Sequence, residues 1–227
     1  MTRNLAWQNG RRVGYARAVM NSQEDALDPV IEAHDEGSLE KYLQEGIDLI
    51  QSKDLALAIE KFDRIITDYD DTYGHRSDKL FLSFLSREEF LAFVKGQPPP
   101  EREVVWLHPY YSQAHYYKGY ALVQLERTPE ACAEIQRAID LNPMHGPFYL
   151  ELAYIHARQR DFDRALQLYN NALERDYFPA KSATAAAYRG IGYIYIESGM
   201  LSEAVRMYEK SLELEPESSI ARQELDY

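Results

Sequence analysis

A single cysteine, Cys132, stands in the 227 residues, so no intrachain disulfide can form and a reducing compartment suits the chain. Long hydrophobic runs are missing as well. Nothing approaches the roughly eighteen consecutive apolar residues of a membrane helix, and the N-terminus has no apolar signal-peptide core. Bases are scarce beside acids: 25 Lys and Arg against 37 Asp and Glu give a formal charge of −12. That balance favours solubility and argues against nucleic acid as a partner, since phosphate-tracking surfaces are basic. Motifs of catalysis are absent too: the sequence has no GxxxxGK[ST] phosphate loop, no HExxH zinc helix and no GxSxG elbow. These absences lead us to expect a protein of the cytoplasm with no membrane span.

The near misses for chemistry have simpler readings. In "DYDDTYG", residues 68–74, the glycine falls one place late for a calcium loop and Lys79 sits where the bidentate acid belongs. An acidic turn is the simpler reading. His115 and His156 occupy positions that pack against a partner helix, and no cysteine or carboxylate cluster accompanies them, so core histidines are expected rather than metal ligands. Pro109 spoils any shared helical face for His108 and His115. Cys132 has no fixed basic neighbour and reads as a structural thiol. No catalytic residue, no cofactor and no metal site is expected.

What the sequence does have is a repeat. Gly46, Gly119, Ala153 and Gly192 each stand twelve residues before an alanine: Ala58, Ala131, Ala165 and Ala204. Four residues beyond each alanine come Phe62, Ile135, Tyr169 and Tyr208, and three further on Ile65, Ala138, Ala172 and Ser211. Four residues before the small residue stand Tyr42, His115, Tyr149 and Tyr188. Spacings of three and four put side chains on one helical face. A small residue in a first helix lets the alanine of a second helix approach closely, while aromatics fill the surrounding space. Pro143 and Pro216 follow two of the second helices, where proline ends a helix. One such hairpin cannot bury its apolar face alone, so neighbours must stack.

With these columns the sequence resembles the tetratricopeptide repeat (TPR) family, whose helix–turn–helix unit is about 34 residues long. The resemblance implies an all-α fold, a right-handed α-solenoid. Gly119 to Ala153 is one step of 34; Ala153 to Gly192 is 39, which places an insertion around 177–184; Gly46 to Gly119 is 73, room for one further repeat. The frame is 39–72, a degenerate 78–111, 112–145, 146–179 and 185–218, with residues 219–227 starting a C-terminal capping helix. In the degenerate unit "WLHPYY" echoes "DLNPMH", Phe81 falls in the aromatic column and Leu85 in the small column. "SDKLFLSFLSREEFLAFVKG" is expected as its first helix, and only a short turn near 102–107 as its second, because "QPPPE" cannot enter a regular helix. Residues 1–38 form a basic arm with Arg3, Arg11, Arg12 and Arg17, read as a tail or as an arm packed on the solenoid rather than as a presequence. Asp28-Pro29 opens a short helix running to about Asp35.

In the family, first helices line a concave groove and the residue just after the small column points into it. That implies Ile47, Tyr120, Tyr154 and Tyr193, flanked by Leu43, Tyr116, Leu150 and Arg189 on one side and by Gln51, Gln124, Arg158 and Glu197 on the other. The expected partner-binding groove is thus Tyr116, Tyr120, Tyr154, Arg158, Arg189 and Tyr193. Tyrosine and arginine combine large contact area with directional hydrogen bonds. Family members that clamp a chaperone's terminal carboxylate carry a lysine three before the small column and an asparagine just after it. Here those places hold Tyr116 and Tyr120, or Leu43 and Ile47, so that activity is not expected. The resemblance implies a non-catalytic adaptor or scaffold binding a peptide or helix of a partner protein. Two alternatives stay open: a secretion or assembly chaperone shielding an apolar segment, and a regulatory subunit of an enzyme complex.

Overall fold

The computed structural model describes residues 6–8, 11–13, 36–96, 102–177 and 179–225. It divides into two compact units, Met1–Asn142 and Pro143–Tyr227. The expected helix over 28–35 and the proline run at 98–100 lie outside the described residues.

The first unit begins with a short antiparallel pair, β1 (Ala6–Gln8) and β2 (Arg11–Val13). The first hairpin is α1 (Glu36–Gln51) and α2 (Leu55–Tyr73). A second hairpin, α4 (Tyr110–Gln124) and α5 (Thr128–Leu141), packs on it through α2 and α4. The second unit holds α6 (Gly146–Arg158) with α7 (Phe162–Arg175), α8 (Lys181–Glu197) with α9 (Leu201–Leu214), and the short α10 (Ser219–Leu225). The five extra residues between Ala153 and Gly192 go into the α7–α8 connection and into a longer start for α8. Ala221 of α10 is buried against the Ala204 and Tyr208 cluster, with Leu225 packed beside it.

The alanine column lies at the helix crossings: Ala58, Ala131, Ala165 and Ala204 are all buried, as are Phe62, Ile135, Tyr169 and Tyr208. The glycines beside them are needed for close approach. A Cβ on Gly46 would lie 2.5 Å from the Phe62 ring, and one on Gly119 would lie 2.5 Å from Ile135 Cγ1.

Each hairpin turns through the same backbone device. Lys53, Glu126, Arg160 and Gly199 sit seven residues after the small column, and all four have positive φ, between 60° and 73°. The following amide donates to the carbonyl five residues back: Asp54 to Leu49, Arg127 to Leu122, Asp161 to His156 and Met200 to Tyr195. This is the Schellman closure, which satisfies carbonyls that a helix end leaves orphaned. Asp54 and Asp161 then cap the next helix, their side chains accepting from Leu57 N and Arg164 N. The expected acidic turn at 68–74 is instead the last part of α2, with only Gly74 beyond the helix.

The chain departs most from the sequence reading between the two hairpins of the first unit. Residues of the expected degenerate repeat form β3 (Lys79–Leu82), α3 (Arg87–Gly96) and β4 (Glu103–Trp106), with β3 and β4 paired in parallel. The expected first helix thus holds a strand over its opening part, and the expected short turn is a strand. Phe81 lies in β3 against Tyr73, with ring centroids 4.9 Å apart, rather than in an aromatic helical column. The all-α expectation gives way to local strand pairing here, as it does at β1 and β2, although the helical class holds. Parallel strands need a crossover, and α3 supplies it. Val104, Val105 and Trp106 are types that favour a strand. Leu80, Leu82 and Phe84 alternate with a period of two, which a helical frame imposed from the neighbouring repeats conceals.

This strand–helix–strand segment has its own aromatic core. The Trp106 and Phe90 rings stack with centroids 5.8 Å apart, Phe93 lies 5.4 Å from Phe84, and Trp106 Nε1–H donates to Phe84 O at 3.0 Å. Buried polar groups join it to the second hairpin. Ser83 N donates to Leu141 O at 2.7 Å, Ser112 Oγ to Ser83 O at 2.8 Å, and Asn142 Nδ2 to Glu89 Oε2 at 2.9 Å. Buried polar groups with partners rigidify where unpaired ones would cost stability.

Candidate functional site

In the first unit a charged cluster fixes α4 before any of its outward face is considered. Lys118 Nζ bridges Asp63 Oδ1 of α2 and Glu134 Oε1 of α5, each at 2.7 Å. The other Glu134 oxygen lies 2.6 Å from His115 Nδ1. Burial alone would lower the Lys118 pKa, but the hydrogen bonds and charges of Asp63 and Glu134 hold it above the ordinary lysine value. Burial would likewise raise Glu134, yet His115 and Lys118 hold it below the usual carboxylate range. One turn before His115, Tyr111 OH donates to Asp70, and burial together with that carboxylate pushes its pKa up to about 12. His115 is therefore a buried packing residue. His156 is half-buried and pairs with the capping Asp161 at 2.9 Å. Burial pushes the Cys132 thiol up, away from reactivity. Among the described residues, no group of three or more His, Cys, Asp or Glu is placed to hold a metal ion.

The cluster ties α2, α4 and α5 together, so its loss should show as stability. Replacing Lys118 with Met leaves Glu134 and Asp63 short of a charged donor and should cost about 1–2 kcal/mol at neutral pH. Because the folded Glu134 pKa is depressed, its contribution is complete above the ordinary glutamate pKa and fades as pH falls through the folded value. The gap between wild type and variant in urea titrations should close in acid. A gap that stays unchanged there would assign the effect to lost packing.

The residues just after the small column face outward. Tyr120 is 37% exposed, Tyr154 48% and Tyr193 39%, whereas Ile47 in α1 is half-buried. The row three residues before the small column does something else. Leu43 is buried, Tyr116 and Leu150 are half-buried, and Tyr116 packs edge-on against Tyr117 at 5.2 Å. Arg189, expected at the groove, is turned into its own hairpin. Its guanidinium donates to Glu215 Oε2 at 2.6 Å and to Ser211 Oγ at 3.1 Å, the C-cap and the last turn of α9. The row five residues after the small column is polar: Lys53 donates to Gln124 at 2.8 Å, and Arg160 to Glu197 at 2.7 Å. Arg158 is exposed and lies over the Tyr154 ring, 5.8 Å from its centroid.

The row two residues before the small column escaped the sequence reading. Tyr117 of α4 stacks on Phe62 of α2, centroids 6.0 Å apart. At the matching place in α8 is Gly190, where a Cβ would lie 2.2 Å from the Tyr169 ring. Tyr117 and Gly190 therefore each pack their hairpin on the preceding one within the same unit. The signal was the second glycine of "RGIG", residues 189–192.

Helix–turn–helix hairpins, small residues at their crossings and an outward tyrosine row on successive first helices define a helical-repeat protein. Residues 145–216 match the family model described as a tetratricopeptide repeat. The fold is similar to that of MamA, at 20% identity and TM-score 0.53, covering 85% of this chain and 84% of that one. It is also similar to a tetratricopeptide repeat protein from Parabacteroides merdae, at 15% identity and TM-score 0.55, covering 83% and 57%. The pilF protein of Pseudomonas aeruginosa matches at 14% identity and TM-score 0.55, covering 84% and 75%. These likenesses are of fold. Residues 145–216 are therefore assigned to tetratricopeptide repeats, and the chain as a whole shares the fold of such proteins. No helix among the described residues is long and apolar enough to cross a membrane.

Proposed function

We propose that the chain is a non-catalytic protein-binding adaptor, which recognises a peptide or helix of a partner on the tyrosine-bearing faces of its first helices. One observation carries the reading. Tyr120, Tyr154 and Tyr193 occupy the same position of three successive first helices and are left exposed, while the crossing residues beside them are buried. A soluble protein has no packing reason to place a large aromatic at the same outward position three times. Tyrosine offers contact area at low entropic cost and a hydroxyl for orientation. Arg189 has no part in this surface, since α9 holds its guanidinium. Tyr116 contributes at most its exposed edge.

The test pairs stability with binding. Tyr154→Ala should leave the melting temperature close to wild type, whereas truncating a buried aromatic costs about 3–5 kcal/mol. Against a partner recovered by pull-down, the same variant should lose about 2 kcal/mol of binding, roughly thirtyfold. Early unfolding would make the row structural. Normal melting with normal binding would move the interaction elsewhere.

A further inference from the structure

Charges left over on α6 give its outward face a polarity. Glu151, Tyr154 and Arg158 are spaced i, i+3, i+7 and so share one helical face, with about 10 Å between the end residues at 1.5 Å per residue. Glu151 is half-buried and has no hydrogen-bond or ion-pair partner among the described residues. Burial pushes its pKa up, with no neighbouring charge contributing. At the other end, Arg158 rests on the Tyr154 ring and meets no carboxylate among the described residues. The neighbouring first helix of the same unit lacks this pattern. There the matching positions hold Gly190, which has no side chain, Tyr193, and Glu197, whose charge Arg160 neutralises at 2.7 Å. The face of α6 thus reads anion, aromatic ring, cation, with neither charge paired to an opposite charge among the described residues.

A half-buried carboxylate without a partner costs stability, and its place beside an exposed ring suggests what would offset that cost. Resting on the proposed binding role of this face, we infer that α6 recognises a partner segment of mixed charge: a Lys or Arg opposite Glu151, an apolar side chain against Tyr154, and an Asp or Glu opposite Arg158. On a helical segment the two charges stand about seven residues apart, which is the spacing along α6 itself. The cation pairs with the Glu151 carboxylate, while the Arg158 guanidinium already lies over the Tyr154 ring. A segment with one sign of charge would satisfy one end and repel the other. The pattern therefore selects composition and also fixes the direction in which the segment lies.

Three fluorescein-labelled helical peptides serve as probes for fluorescence anisotropy. They share a central Leu and differ only in the flanking pair seven residues apart, which is Lys and Glu, Lys and Lys, or Glu and Glu. The mixed peptide should bind the full chain about tenfold tighter than either of the others. Glu151→Gln should weaken the mixed and Lys-only peptides and spare the Glu-only peptide. Its melting temperature should stay at or above wild type, because an unpaired buried charge has been removed. Glu151→Lys should make the Glu-only peptide the tightest of the three. Equal affinity for all three peptides, or no change of preference in Glu151→Lys, overturns the inference; so does failure of the mixed peptide to bind at all. If charge has no effect while Tyr154→Ala still weakens every peptide, the binding role of the face survives and only its charge selectivity falls. If Tyr154→Ala changes nothing, the binding role falls as well.

Discussion

Trp106→Ala should destabilise the first unit by about 3–5 kcal/mol, the cost of truncating a large buried aromatic. Trp106 is 9% exposed, stacks on Phe90, and donates its indole N–H to Phe84 O. The truncation removes all three contributions at once and leaves a buried carbonyl without its donor. The loss cannot stay confined to one strand. β4 pairs with β3, and Ser83, just past β3, is hydrogen-bonded to Leu141 and Ser112 of the second hairpin. Hydrogen exchange should accelerate across 79–96 and 103–106 and at the C-terminal end of α5, whereas amides of 146–214 should keep their protection. Unchanged exchange over 79–82 and 103–106 would show that the indole is peripheral to this segment.

Gly119→Leu should cost about 3 kcal/mol, the upper end of the usual range for overpacking, and Gly192→Leu rather less. The order follows from what each new side chain meets. A Cβ at Gly119 would lie 2.5 Å from Ile135 Cγ1, with the Ala131 backbone oxygen only 3.3 Å away. A β-branched residue is stiff at χ1 and a backbone carbonyl cannot turn aside, so the helices must separate. At Gly192 the nearest atom is Tyr208 Cε2 at 2.9 Å, part of a ring that can tilt. Melting curves of the two variants should therefore separate, with Gly119→Leu the lower. Equal melting, or a wild-type curve for either, would mean that these helices do not cross where the small residues lie.

The helical hairpins were legible because their signals are local and repeated. Ala58, Ala131, Ala165 and Ala204 stand at one spacing from their small partners, and each is buried at a crossing. Close approach of two helices needs a small side chain whatever else surrounds it. The outward tyrosine positions followed from the same register. Arg189 did not, because the choice between solvent and Glu215 depends on where α9 runs, which residue spacing within α8 cannot specify. The left-handed turns are a similar case. Gly199 announces its conformation, but Lys53, Glu126 and Arg160 adopt it only because the hairpin closure imposes it.

By itself, the sequence determined the hairpins, their small-residue crossings and the row of tyrosines that follows them. The tertiary structure alone decided the strand–helix–strand segment, since a parallel pair is made by residues 24 apart, such as Phe81 and Val105, and neither strand carries a signal of its partner. It alone decided also which charges are spent. Lys118 and Glu134 are consumed between helices, while Glu151 and Arg158, equally plain in the sequence, remain unpaired among the described residues. Ion pairing depends on distances across helices, and those distances are fixed only when the hairpins pack.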